Sequence, residues 1–345
     1  MKPMKSRFRM TVAVLSALLL VTACAGAQEV GETGNTGSKV TIGLQPTATS
    51  FPIWLAEQKG YFQENGIEVE LKYYPSGAAM SEAGLTGAWD GGNMGSPPAL
   101  TSSQKWDMVV PGPNSEEGAI QILWGRTNDF KGKDPATVLG GGEVLVKVNS
   151  TQHYAFLGCM QKYGVAGETK PLPVEANAVA GAFTGGQGVG AMTWPPFDAE
   201  FVDNPEYVHV CDGKQAGKKI FNMLALTPAF ANNRTEQAVA YVKSAYQANE
   251  FITANPDEAA DLLVQYYKEN GVTATKEAAQ RELTGRTWPS AAEALALSKG
   301  ELSSDLEDLT KVFVDLGAFD TEPDVTKAVD TGREILEQAV GESAS

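Results

Sequence analysis

Residues 85–98 read LTGAWDGGNMGSPP and, at an offset of 98, residues 183–196 read FTGGQGVGAMTWPP. Six of the fourteen positions agree without a gap: Thr86/Thr184, Gly87/Gly185, Gly92/Gly190, Met94/Met192, Pro97/Pro195 and Pro98/Pro196. In each copy the pattern predicts a helix ending at Thr-Gly, a short strand running to Met, and an exit through a Pro-Pro turn. The residues just past each Met, Gly95-Ser96 and Thr193-Trp194, then stand at the carboxyl end of a parallel strand, which is where open α/β sheets bind ligands. One such end in each of two lobes puts a cleft between them, with Ser96 and Trp194 as candidate wall residues.

The flanking sequence fits this frame. Residues 40–44 read as a strand, 52–59 as a helix with Pro52 in its first turn and Gly60 at its stop. Ile67, Val69, Leu71 and Tyr73 alternate with charged residues as in a half-buried strand. A helix over 76–85 and strands at 92–94, 120–124, 143–148 and 188–193, with a helix over 154–163, continue the order. Alternation of this kind predicts an α/β fold with mostly parallel sheets flanked by helices. The last third is expected to be helical. Asn255-Pro256-Asp257-Glu258 suggests a capping box, and Leu302, Leu306, Leu309, Phe313 and Leu316 mark one buried helix face, packing for the first lobe.

The chain has 345 residues and a formal charge of −15. Its start carries Lys2, Lys5, Arg7 and Arg9, then an apolar stretch of about a dozen residues, too short for the roughly 20 that a spanning helix needs. This reads as an export signal over 1–23. Cys24 directly after Val-Thr-Ala resembles the lipobox of bacterial lipoproteins, so Cys24 is the expected lipidation site, anchoring the chain to the outer face of the cell membrane. Residues 24–38 are small and polar, as in a flexible tether. Removing 1–23 takes four basic residues and moves the charge to −19, which argues against a nucleic-acid partner. Cys159 and Cys211 remain in a compartment that permits disulfides; they either pair or stay as two buried thiols. The two histidines, His153 and His209, and the cysteines have no metal-ligand spacing, so neither metal nor cofactor is expected.

Asn149-Ser150-Thr151-Gln152-His153 lies between a strand and a helix start, where hydroxyls and free N–H groups make an anion site; capping of the helix by Ser150 or Thr151 is compatible with that role. The glycine runs do not fit a nucleotide site. Residues 185–190 follow a helix and lead into a strand, and Gly140-Gly141-Gly142 has no Lys-Ser/Thr after it.

The stretches GLQPTATSFPIWLAEQKGYFQENGIEVEL (43–71), PSGAAMSEAGLTGAWDGGNMGSPPAL (75–100), VNSTQHYAFLGCMQKYGV (148–165), GAMTWPPF (190–197) and FITANPDEAADLL (251–263) resemble the binding proteins of taurine, alkanesulfonate and nitrate ABC importers. The resemblance implies a two-lobed periplasmic-binding-protein type II fold, with a first lobe of 39–125 plus 213–345 and a second lobe of 126–212. It implies a small anionic organic solute, sulfonate- or taurine-like, held between the lobes of a monomer that docks on membrane permease subunits. The implied contacts are Gln45, Phe51 and Trp54 near the first strand, Ser96 in the Gly-Ser-Pro-Pro turn, Ser150, Thr151 and His153 in a Ser-Thr-x-His-Tyr/Phe motif, and Trp194 over the ligand's carbon part. Glu116 can meet an ammonium. The family commonly has Trp-Asp-Pro where this chain has Trp194-Pro195-Pro196, so that carboxylate role passes to Asp198 or is lost. Nitrate-like anions, aromatic carboxylates and a sensor lipoprotein are the alternatives. A pyrimidine synthase of the same superfamily is disfavoured, since that branch is intracellular and Cys-rich; no enzyme activity is expected.

Overall fold

The structure, a computed structural model, describes residues 39–315, 317, 319 and 321–343. The signal segment, Cys24, the tether and Leu316 lie outside the described residues. Among the described residues ten strands form two five-stranded sheets: β1 Val40–Leu44, β2 Val69–Tyr73, β3 Gly91–Gly95, β4 Pro113–Glu116, β5 Ile122–Arg126, β6 Glu143–Val146, β7 Lys170–Pro173, β8 Gly190–Thr193, β9 Tyr207–Asp212 and β10 Phe221–Leu226. The first sheet has the order β2-β1-β3-β10-β4 and the second β7-β6-β8-β5-β9. In each, the first three strands run parallel. The remaining two add antiparallel pairings, through β10 in one sheet and β5 in the other.

Burial explains the strand patterns. β1 lies inside the sheet between β2 and β3 and is buried along nearly its whole length, as its apolar run requires, whereas the edge strand β2 turns polar residues outward. The helix Phe51–Lys59 has Pro in its first turn and stops at Gly60, whose φ of 78° suits a residue without Cβ. Asn255 precedes the helix Pro256–Glu269 but makes no side-chain cap; its amide donates to Phe251 O instead. A capping box is found at Ser290 and Glu293.

Two chain crossings join the two lobes. The chain leaves the first sheet after β4, crosses through 117–121 into β5, and returns through 213–220 from β9 to β10. The division expected at 125 therefore falls inside β5, which belongs to the second sheet. Glu116 joins the crossings: its Oε1 accepts from Gly118 N at 2.8 Å and Ile220 N at 3.2 Å. The helix Leu302–Asp315 does more than cover the first lobe. Phe313, fully buried, lies against His153 and Tyr154 of the second-lobe helix Thr151–Lys162 at ring distances of 5.8 and 6.4 Å. Asp308 beside them accepts from Tyr154 Oη at 2.5 Å and Lys218 Nζ at 2.7 Å. Cys159 and Cys211 are joined, tying the Thr151–Lys162 helix to β9.

Candidate functional site

The two copies of the repeated stretch meet at one interlobe cavity of about 670 Å³. They do so by different local structures. After β3 the chain enters a helix, Ser96–Trp106, with its prolines in the first turn. A Pro-Pro turn occurs only after β8, where the Pro195–Pro196 bond is cis. Proline fits the first copy because the first helical N–H groups have no intrahelical partner to lose.

One wall is the start of the helix Gly77–Leu85, with Ser76, Gly77 and Ala78 facing the cavity. Ser76 Oγ accepts from Ala79 N at 3.2 Å, leaving earlier N–H groups of that turn for a ligand. The facing wall is the start of Thr151–Lys162, presenting Asn149, Ser150 and Thr151. Asn149 has φ 56°, a left-handed turn that Asn tolerates better than most residues. Ser150 Oγ donates to Lys147 O at 2.6 Å and accepts from His153 N at 3.4 Å, so this hydroxyl shapes the turn, and the first-turn N–H groups and Thr151 are left for an anion. Both helix starts carry partial positive charge.

Trp194 and Phe197, edge to face at 5.6 Å, give the cavity an aromatic side. Glu117 and Asn222 lie at its floor. Glu117 belongs to a buried cluster: Arg286 Nε stands 3.3 Å from Glu117 Oε2, Arg286 Nη1 2.7 Å from Glu282 Oε1, and Tyr267 Oη donates to Glu282 at 2.6 Å. Burial raises the Glu117 carboxyl and the Arg286 guanidinium opposes that rise. Two carboxylates against one guanidinium leave the cluster short of positive charge. Lys147, also on the cavity wall, pairs with Glu175 at 2.5 Å.

Of the expected contacts, Gln45, Ser150, Thr151 and Trp194 line the cavity. The others do not. Phe51 and Trp54 are buried in the first-lobe core beside Tyr266, and Trp54 Nε1 donates to Glu269. Ser96 is buried just behind Gly95, which takes the wall position. Glu116 binds backbone, and its neighbour Glu117 faces the cavity. His153 is buried, accepts from Asn149 N at 3.3 Å, and is lowered by burial to about 4, so it is neutral at pH 7. Asp198 is fully buried, 3.4 Å from Arg281 Nη2 on the first-lobe helix Lys276–Thr284. Sequence reading missed Glu117, Lys147, Glu175, Asn222 and Phe197. Ser76-Gly77 carried a readable helix-start signal; Asn222, on β10 opposite Gly95, carried none.

A family model described as the NMT1-like family matches residues 34–266. A protein named as a candidate ABC transporter periplasmic binding protein, from Brachyspira hyodysenteriae, is 23% identical over 312 residues, covering 84% of this chain and 87% of its own. The taurine-binding periplasmic protein of Escherichia coli is 27% identical over 226 residues, covering 63% and 68%. Among solved structures, the periplasmic aliphatic sulphonate binding protein of Escherichia coli superposes with a TM-score of 0.69 at 16% identity, covering 85% of this chain and 92% of that one. The periplasmic nitrate-binding protein of Synechocystis gives 0.68 at 14% identity, covering 88% and 89%. These two likenesses speak for the fold.

Proposed function

The chain belongs to the NMT1-like family, and from that premise we propose that it is the extracytoplasmic solute-binding component of an ABC importer, taking a small organic anion into the interlobe cavity. In this reading it is carried on lipid at Cys24, acts as a monomer and delivers its solute to permease subunits in the membrane. The observation that carries the reading is the pairing, within one cavity, of two helix starts with the Trp194–Phe197 aromatic side. Helix starts favour a negative headgroup. Apolar and aromatic walls favour a ligand with a carbon body, which supports a sulfonate over nitrate, since an inorganic ion gains little from a ring. Glu117 at the floor, in a cluster short of positive charge, favours a taurine-like solute with an ammonium at its other end.

A thermal-shift screen of the mature protein against taurine, ethanesulfonate, nitrate and benzoate tests this. A ligand at 100 times its dissociation constant stabilises the fold by about 2.7 kcal/mol. The expected result is a shift with the sulfonates and none with nitrate; a shift with nitrate alone contradicts the proposal.

A further inference from the structure

The β6–β8 ladder stops short of the cavity. Its backbone pairs are Val144 with Gly190 and Leu145 with Ala191, so the Lys147 N–H and the Met192 carbonyl lie beyond the last rung. Gln152, fully buried, supplies the next one. Its Oε1 accepts from Lys147 N at 2.5 Å and its Nε2 donates to Met192 O. Lys147 leaves β6 on the cavity wall, Gln152 follows Thr151 in the helix that opens onto the cavity, and Met192 stands two residues before Trp194. One side-chain amide therefore joins the strand exit, the helix start and the aromatic side.

We propose that Gln152 is a positioning residue for solute capture, fixing the spacing between the helix start that receives the anion and Trp194. The inference rests on the reading of this cavity as the solute site. The chemistry singles out glutamine: the site needs an acceptor and a donor on one planar group, and a buried backbone group left without its partner is costly. Neither a carboxylate nor a thioether of the same length offers both. The first lobe solves the same problem with shorter parts. Gln45 N donates to Ser50 Oγ at 3.0 Å, Ser50 Oγ donates to Asn93 Oδ1 at 2.7 Å, and Asn93 Nδ2 donates to Thr49 O at 2.8 Å. That relay shares the work among several groups, whereas the second lobe depends on one.

The test uses the mature chain with Gln152→Met, which keeps length and neutrality, and Gln152→Glu, which keeps the acceptor and removes the donor. Acrylamide quenching of Trp194, taken as the difference from a Trp194→Phe background, is read without ligand. Both variants are expected to raise quenching of Trp194 while circular dichroism stays native, and to weaken ethanesulfonate binding, about tenfold for Gln152→Glu, which loses one hydrogen bond, and more for Gln152→Met, which loses both. Unchanged Trp194 quenching in folded Gln152→Met overturns the inference. Wild-type protein that does not bind ethanesulfonate, or binds it indifferently to Trp194→Ala, counts instead against the cavity reading, and the ligand-free quenching still decides for or against Gln152.

Discussion

The exits of β3 and β8 come from matching sequence and do different work. Past β3 the chain turns straight into a helix and sets a bare glycine on the cavity wall; past β8 it turns through Trp194 and a cis proline and sets an aromatic ring there. A Cβ on Gly95 would come within 2.9 Å of Thr151 Cγ2, so the first lobe contributes closeness and the second contributes surface. A repeated motif thus conserves the position of a strand end without fixing what stands on it. The lesson is that similar halves of one cleft can divide recognition between backbone and side chain.

The largest expected effect concerns the second-lobe helix start. His153 is held neutral by burial, with its pKa lowered from 6.5 to about 4, while the first-lobe helix Phe51–Lys59 begins with no titratable group in its first turn. A depressed histidine pKa contributes stability that is complete above the unfolded value and is lost as pH falls from about 6.5 towards 4, roughly 3 kcal/mol in all. Denaturant unfolding at stepped pH should show that loss, and His153→Gln should flatten it. If the slope persists in the variant, other groups carry it.

Next is the contact that holds the lobes close. Gly95→Val should weaken solute binding on the order of 100-fold by overpacking against Thr151 and should also lower the ligand-free melting temperature, since the close approach is present without ligand. The equivalent position in the other copy, Thr193, has a buried hydroxyl without a partner among the described residues. Thr193→Val should leave affinity and stability near wild type, since no hydrogen bond is lost. Equal losses at both sites, measured by calorimetric titration, would erase the contrast between the lobes.

Smaller still is Trp194→Ala, expected to cost about tenfold for a solute with a carbon body, in keeping with about 1 kcal/mol from aromatic contact. The smallest effect belongs to the pair linking Asp198 to Arg281. Arg281 is 35% exposed but Asp198 is fully buried, and neither lines the cavity, so Arg281→Gln should change affinity by no more than about threefold while lowering the melting temperature, because the buried carboxylate loses its charge partner.

Much of the architecture was legible in the sequence because strand and helix periods are local. The repeat located both strand ends, and Ser150-Thr151 marked a helix start that does open onto the cavity. What failed depended on distant partners. β10 reaches β3 from the far side of the second lobe, and Asp198 finds Arg281 83 residues later in the chain. Phe51 and Trp54 share a helix face, yet helical spacing does not say whether that face meets a core or a cleft. Glu116 and Glu117 differ by one residue, and alternation at the end of β4 sends one to backbone and the other to the cavity.

The central claim is that the two unlike strand exits close over one organic anion. A crystal structure of the mature protein grown with ethanesulfonate tests it directly. Sulfonate density is expected at the Thr151 helix start with the ethyl group against Trp194. Density seated elsewhere, such as the separate hollow beside Thr287 and Trp288, would contradict it.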